Sequence, residues 1–334
     1  MLRFVIRRVL QLVPILFGLS LLLFGWLRAL PGGPAQALLG ERATAERVAA
    51  VERLYGLDQP WYVQYGKFLA RAVTFDFGNS ARTHRPVVEE MARTFPATIE
   101  LAIAAMIFAV GVGIPLGYYA ARRYGTWLDN VTVVGSLLGV AIPVFFLAYI
   151  LKYLLAVQLG WFPTGGRQDP RSGAEHPTGF YVLDGLITGN PGASWDAIMH
   201  LVLPAIALGS IPLAIIVRIT RASVLDVVHE DYVRTAEAKG LLERTITRRH
   251  VLRNALLPVV TVIGLSAGLL LAGAILTERV FAFDGVGRFV GDAISNRDYA
   301  VLQGFILIIA TMYVFVNLIV DVSYGLIDPR IRVR

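Results

Sequence analysis

The sequence predicts an all-α, polytopic membrane protein with six transmembrane helices and both termini on one side of the membrane. Its 334 residues are 56% hydrophobic and only 16% charged, whereas soluble domains carry roughly a quarter charged residues. Apolar runs of about 20 residues recur, and each can cross a hydrocarbon core of about 30 Å. Basic residues are concentrated in alternate segments between these runs, as expected of a protein that crosses the membrane repeatedly.

Residues 1–30 predict the first transmembrane helix. Three arginines, Arg3, Arg7 and Arg8, precede an apolar run from Val9 to Leu30. A secretory signal has a shorter apolar core and a cleavage site of small residues, so this run is interpreted as an uncleaved span. The sequence Pro31-Gly32-Gly33-Pro34 is expected to end it.

Residues 31–96 predict an extracytoplasmic helical region. Thr44 is positioned to cap a helix that Gly56 ends, and Pro60 stands at the start of a second helix. In that second helix Tyr62, Tyr65, Phe68 and Leu69 share one face, which fits packing on the bundle or contact with the membrane surface; packing is preferred.

Residues 97–325 are expected to form the main transmembrane domain, followed by a cytoplasmic tail over 326–334. Three polar segments interrupt this domain: 158–197, which is rich in Gly, Pro and Asp, 221–255, which is basic, and 278–299. The apolar runs predict five spans at about 97–121, 131–157, 198–220, 256–277 and 300–322.

Small residues and prolines indicate that these spans pack as a bundle. Gly-x-x-x-Gly motifs allow helix backbones to approach closely, and prolines bend or interrupt helices where neighbours satisfy the freed carbonyls. The motifs are Gly113–Gly117, Gly135–Gly139 and Gly264–Gly268, and the prolines are Pro115, Pro143, Pro204 and Pro212.

The charge distribution predicts the orientation. The amino end, the loops 122–129 and 218–255, and the tail hold 16 basic and 7 acidic residues, whereas the other extramembrane segments hold 13 and 15. The positive-inside rule places the first set in the cytoplasm. The basic character therefore reflects topology, the bilayer is the expected partner, and a nucleic-acid partner is not expected.

No catalytic, cofactor-binding or metal-binding constellation is predicted. The chain has no cysteine, its five histidines lack metal-ligand spacing, and it has neither a Gly-x-Ser-x-Gly elbow nor a phosphate-binding loop. If ATP drives this protein, another chain binds it. A membrane enzyme is disfavoured for the same reasons, while a structural scaffold stays open.

Ionisable residues within the predicted spans are few and lie near their ends. Arg28, Glu100 and Lys152 fall near the outer ends and Asp321 near the inner end, where snorkelling or capping accounts for them. An ion-coupled secondary transporter usually has charged groups or broken helices at the midplane. It remains the disfavoured alternative.

The basic segment 221–255 predicts a helix–turn–helix. Residues 222–239 and 242–254 are compatible with helices, and Lys239-Gly240 with a tight turn between them. Physical reasoning alone leaves a solvated loop and a docking element equally open.

Two stretches of this segment resemble a known family. They are Ala236-Glu237-Ala238-Lys239-Gly240-Leu241 and the run from Arg249 to Pro258. They are similar to the signature loop of binding-protein-dependent ABC importer permeases, most of all the dipeptide/oligopeptide/nickel branch and its B-type dipeptide permeases. Similar blocks occur in order along most of the chain, at 57–65, 96–102, 113–117, 161–163, 277–281, 297–299, 317–321 and 328–330.

The chain departs from the family pattern at several positions. Arg234-Thr235-Ala236 stands where the family has Glu-Ala-Ala, and Arg253 stands where the wider superfamily has a proline. In addition, Gly33 replaces a usual Asp, and Asp284 and Ala300 replace usual prolines. A contact made by the family's glutamate therefore cannot be carried over.

The resemblance implies the type I ABC importer permease fold in a bacterial cell membrane. It implies a non-catalytic subunit that works with a second homologous permease, two ATP-binding subunits that hold ATP and Mg²⁺, and an extracytoplasmic binding protein that delivers di- or oligopeptides, with nickel or haem as alternatives. The turn would be the coupling element seated on an ATPase. The ATPase-coupling residues implied are Arg234, Thr235, Ala236, Ala238, Lys239, Gly240, Leu241 and Arg244.

Overall fold

The computed structural model describes residues 2–29 and 44–327. Within these residues the backbone is helical, with one isolated antiparallel bridge between Asn79 and Pro86 and no β-strand. The predicted all-α class is therefore confirmed. The predicted stop at Pro31–Pro34, the position of Gly33 and the end of the tail at 328–334 lie outside the described residues.

The described helices are long where the sequence is apolar and short in the connecting segments. In chain order they are α1 Leu2–Ala29, α2 Ala45–Tyr55, α3 Trp61–Val73, α4 Val87–Arg122, α5 Trp127–Ala141, α6 Val144–Leu151 with a π-helical continuation Lys152–Gln158, α7 Tyr181–Ile187, α8 Pro191–Val228, α9 Asp231–Ala238, α10 Glu243–Thr245 with a π-helical continuation Ile246–Leu252, α11 Arg253–Gly273, α12 Ile275–Val280, α13 Val286–Ser295 and α14 Tyr299–Ile327.

Five continuous helical segments are long and apolar enough to cross a membrane. A sixth span exists if the bent pair α5–α6 counts as one, which agrees with the six predicted. The five segments are Ile6–Trp26, Val87–Arg122, Pro191–Val228, Glu243–Leu270 and Tyr299–Ile319.

The span predicted at 131–157 is not one straight helix. α5 and α6 meet at Ile142-Pro143 with a bend of 106°. Pro143 has no N–H to continue the ladder of α5, and the residue before a proline is driven to extended backbone; Ile142 has ψ 122°. The sequence marked Pro143 as a breaker, but it did not predict so sharp a turn.

α8 is the central helix of the bundle. In its most apolar stretch 72% of the residues are buried, against at most 33% in the other four continuous spans. It packs on α4, α5, α6, α7 and α11. Its 38 residues extend about 57 Å at 1.5 Å per residue. Since this exceeds a hydrocarbon core of about 30 Å, α8 continues beyond the membrane.

The α4–α8 contact depends on small residues, as the Gly-x-x-x-Gly motif predicted. A Cβ atom at Gly117 would lie 2.6 Å from the Val217 carbonyl oxygen, and one at Gly113 would lie 2.9 Å from Ile216. The motif at Gly135–Gly139 is weaker, because a Cβ at Gly135 would meet nothing within 4 Å.

Two charged side chains within the predicted spans, Glu100 and Lys152, each bind the end of a short helix. The Glu100 carboxylate accepts the backbone N–H of Val182, in the first turn of α7, at 2.8 Å and pairs with Arg167 at 2.9 Å. The Lys152 ammonium donates to the Val280 carbonyl, at the end of α12, at 2.7 Å. A negative charge at a helix N-terminus and a positive one at a C-terminus both stabilise it, so the capping interpretation holds.

The buried carboxyl of Glu278 joins α12, α13 and α4. It accepts hydrogen bonds from the Thr98 hydroxyl at 2.6 Å and from the Arg288 backbone N–H at 3.0 Å, and Glu278 is 0% exposed. Residues 278–299 were predicted only as a polar extramembrane segment, and most of them belong to two packed helices, α12 and α13.

The amino-terminal region packs against the bundle through α3. Thr44 caps α2 and Gly56 ends it in a left-handed conformation, as predicted. On α3, Tyr65 is buried and its hydroxyl lies 2.8 Å from Ser20 of α1. Tyr62 is 61% exposed, so it does not belong to the packed face that the sequence predicted.

Candidate functional site

The candidate site is the helix–turn–helix at the carboxyl end of α8. α8 ends at Val228, α9 runs from Asp231 to Ala238, and α10 begins at Glu243 and continues without interruption into α11. The predicted helix 222–239 is therefore two helices separated by His229 and Glu230. The helix–turn–helix directly follows α8, the longest helix in the described chain.

The turn closes as a helix C-cap that favours glycine. Gly240 has φ +73°, and its N–H donates to the Glu237 carbonyl at 2.9 Å. The Leu241 N–H donates to the Ala236 carbonyl at 3.3 Å. In this left-handed conformation a residue with a side chain is less stable than glycine by about 1 kcal/mol or more. Glycine therefore allows the chain to reverse its direction at this position.

One face of the helix–turn–helix is buried against the bundle. Val233 and Ala236 of α9 pack with Val224 of α8 and Ala121 of α4. Ile246, Val251 and Ala255 complete this cluster from the returning side. The turn is consequently packed against the ends of α4, α8 and α11.

The opposite face is exposed and carries most of the predicted coupling residues. Arg234, Thr235, Ala238, Lys239, Gly240, Leu241 and Arg244 are exposed, whereas Ala236 is only 6% exposed. Ala236 therefore anchors the turn from inside. The exposed surface combines three cations with an apolar tip.

Polar contacts join the turn region to neighbouring helix ends. Arg122 of α4 forms an ion pair with Glu243, and the Tyr118 hydroxyl lies 3.5 Å from that of Thr247. On the other side, Tyr232 accepts a hydrogen bond from Asn254 at 3.0 Å. These contacts tie both arms of the helix–turn–helix to one platform.

Sequence reasoning missed two residues of this surface. Leu242 is 78% exposed and forms the apolar tip together with Leu241. Glu237 is also exposed and places one carboxylate among the cations. An apolar pair directly after the turn glycine, inside a polar segment, was the signal for Leu242, since exposed leucines of this kind mark contact surfaces.

Comparison of the whole sequence with known proteins finds that this chain is similar to membrane transport proteins. Residues 113–333 match the family described as binding-protein-dependent transport system inner membrane component, and residues 1–102 match its N-terminal companion. Among similar chains, the dipeptide transport system permease protein DppB of Alkalihalophilus pseudofirmus is 45% identical, covering 99% of this chain and 100% of that one.

Two further relatives have comparable coverage. The di/tripeptide transport system permease protein DppB of Pseudomonas aeruginosa is 46% identical over 99% of each chain. The glutathione transport system permease protein GsiC of Escherichia coli is 39% identical over 100% of each.

A solved structure shares the fold. The inward-facing MetNI methionine ABC transporter superposes with a TM-score of 0.53, at 15% sequence identity, over 72% of this chain and 97% of the other. At that identity the match bears on the fold alone, and it agrees with the predicted type I importer permease architecture.

Proposed function

This chain belongs to the family of binding-protein-dependent transport system inner membrane components, and from that membership we propose that it is the permease subunit of an ATP-driven importer of short peptides. The named relatives transport dipeptides, di- and tripeptides, and glutathione, all of which are peptides. Peptide is therefore favoured over nickel or haem.

The observation that carries the coupling proposal is the two-faced turn. Its inner face is packed into the ends of α4, α8 and α11, and its outer face carries Arg234, Lys239 and Arg244 around an exposed Leu241-Leu242 tip. A partner that pushes on the outer face moves the central helix, because both belong to one packed unit.

In the proposed mechanism this chain does no chemistry. A second permease completes the pathway, an extracytoplasmic binding protein delivers the peptide, and two partner subunits bind ATP and Mg²⁺. Closure of those subunits displaces the turn and switches the pathway from its inward-facing to its outward-facing state. The excess of positive charge in the turn segment favours its cytoplasmic placement.

The absence of cysteine permits a direct test by crosslinking. An Ala238→Cys variant, co-expressed with an ATPase subunit that carries one cysteine in its docking groove, should form a disulfide whose yield changes on addition of ATP. The matched control is Glu175→Cys, which is exposed and lies in the connection to the opposite end of α8. Crosslinking of both positions alike, or of neither, contradicts docking at the turn.

The substrate requires a separate measurement. In a strain that lacks its own peptide importers, the assembled transporter should restore uptake of di- and tripeptides. Uptake of nickel or haem in preference to peptides would overturn the substrate assignment while leaving the crosslinking result intact.

A further inference from the structure

A small pocket with a cationic rim lies where α1, α3 and α14 meet. Its volume is about 210 Å³, and its walls are formed by these helices and by the segment 76–79. The lining residues include three cations, Arg28, Lys67 and Arg71, against one carboxylate, Asp76. The pocket therefore has an excess of positive charge.

The helices that form the pocket place it at the level of lipid headgroups. The apolar part of α1 ends at Trp26 and that of α14 begins at Tyr299, and the pocket is lined by Arg28 and Tyr299. Two spans thus change from apolar to polar at the same level. On α3, Trp61 and Tyr62 are 64% and 61% exposed, as in the aromatic belts of membrane interfaces.

One of the cations is held in a fixed orientation. The Arg28 guanidinium lies 3.6 Å from the centroid of the Phe24 ring and donates to the side-chain oxygen of Gln64. Gln64 in turn donates to the Leu57 carbonyl at 2.8 Å. This chain of contacts pre-orients Arg28 on an aromatic wall, which lowers the cost of binding a ligand.

The other two cations are one helical turn apart on α3 and repel one another. Lys67 and Arg71 are exposed, and neither forms an ion pair with a carboxylate within residues 2–29 and 44–327. Asp76 already accepts the Gly78 N–H at 3.2 Å. An anion seated between Lys67 and Arg71 relieves their repulsion.

We propose that this pocket binds the phosphate of an anionic phospholipid, with Arg28, Lys67 and Arg71 on the headgroup and the acyl chains along the apolar surface of α1 and α14. Two features favour a lipid over a protein ligand. The pocket lies at the ends of two apolar spans, and the aromatic rings of Phe24, Phe68 and Phe77 line it together with the cations. The three positive charges would attract the negatively charged phosphate of such a headgroup.

The test uses the assembled transporter in nanodiscs or lipid-depleted detergent. Phosphatidylglycerol, phosphatidylcholine and inorganic phosphate are titrated separately, and binding is followed by native mass spectrometry and by the melting temperature. The pocket variant is Lys67→Gln with Arg71→Gln, since both side chains are exposed and their loss should not unfold α3. The control is Arg47→Gln with Arg53→Gln on α2, which removes two exposed charges outside the pocket.

We expect phosphatidylglycerol to bind in preference to phosphatidylcholine and to raise the melting temperature. Each charge contributes a factor of about 5, so the pocket variant should lose about 25-fold in affinity, while the α2 variant stays within about twofold of the parent. Peptide transport is not needed for this measurement.

Three outcomes would overturn the proposal. Equal phosphatidylglycerol affinity in the pocket and α2 variants would remove the pocket as the lipid site. Inorganic phosphate that stabilises the transporter and displaces the lipid at equal concentration would identify a site for free phosphate. Unchanged lipid binding with weakened docking of the substrate-binding protein would make the pocket a protein contact.

Discussion

Asp129 and Arg221 form a bidentate ion pair that joins the start of α5 to the carboxyl-terminal part of α8. The Arg221 Nε lies 2.5 Å from Oδ1 of Asp129 and its Nη2 lies 2.9 Å from Oδ2. The backbone N–H of Gly125 donates to the same carboxylate at 3.0 Å. Since the Asp129 side chain is only 3% exposed, this pair fixes α8 about two turns before its carboxyl end at Val228.

Arg221→Ala should destabilise the assembled transporter by about 3 kcal/mol, because it leaves a buried carboxylate without its charged partner. The melting temperature of the purified complex measures this loss. Arg218→Ala on the same helix is the control, since Arg218 is exposed. The double variant Arg221→Ala with Asp129→Ala should recover part of the loss. Equal melting temperatures for the two single variants would contradict the assignment.

Gly117→Ala should separate α4 from α8. The added methyl group would lie 2.6 Å from the Val217 carbonyl and 2.7 Å from the Thr220 Cβ, and such overpacking costs about 2 kcal/mol. Gly111→Ala on the same helix meets nothing within 4 Å and should be neutral or slightly stabilising. Reversible unfolding in detergent measures both. If Gly111→Ala costs as much as Gly117→Ala, the cost does not come from the helix contact.

Local signals sufficed for much of this fold. The caps at Thr44 and Gly56 and the close approach of another helix at Gly113–Gly117 depend on residues a few positions apart in sequence, and each was predicted. That the approaching helix is α8 was not predicted. The bend at Pro143 was anticipated as a break, but its angle is determined by what α5 and α6 pack against.

Contacts between distant parts of the chain were not predictable in the same way. The partner of Glu278 is Thr98, which is 180 positions away, so the sequence placed Glu278 only in a polar extramembrane segment. At the candidate site the family motif identified the turn but not its inner face. The spacing of Val233 and Ala236, three residues apart, contained that information, because residues i and i+3 share a helix face.

The stability of the assembled transporter should fall as the pH rises from about 5 to about 8 because of Glu278. This residue lies in α12, beyond the α11 span, and burial raises its pKa to about 7, although hydrogen bonds from Thr98 and Arg288 oppose the shift. A carboxyl whose pKa is raised on folding binds its proton more tightly in the folded state. The stabilising contribution of Glu278 is therefore fully present below the unfolded pKa near 4.5 and is lost as the pH rises from there through the folded pKa of about 7.

The loss across this range should be on the order of 3 kcal/mol, and Glu278→Gln should abolish the part due to this group. Melting temperatures across the pH range, for the parent and the variant, provide the measurement. Glu175→Gln, at an exposed carboxylate, should retain the dependence of the parent. An unchanged pH dependence in Glu278→Gln would assign the effect to another residue.

Gly240→Trp should abolish transport while the two permease subunits still assemble. A Cβ at Gly240 meets nothing within 4 Å in this chain, so a large side chain is tolerated here unless a partner occupies that space. The strain of a side chain at φ +73° is about 1 kcal/mol and is too small to unfold the subunit. Loss of peptide uptake with intact assembly therefore reports a clash with a docked ATPase.

Gly125→Trp provides the matched control for this experiment. Gly125 has φ +74° and an equally open Cβ position, and its loop lies at the same end of the bundle, since Arg122, three residues earlier, pairs with Glu243 beside the turn. Backbone strain and added bulk are thus the same in both variants, and only the proposed contact differs. Peptide uptake by Gly240→Trp at the level of Gly125→Trp would show that the turn does not touch the ATPase, whereas loss in Gly240→Trp alone would place the contact there.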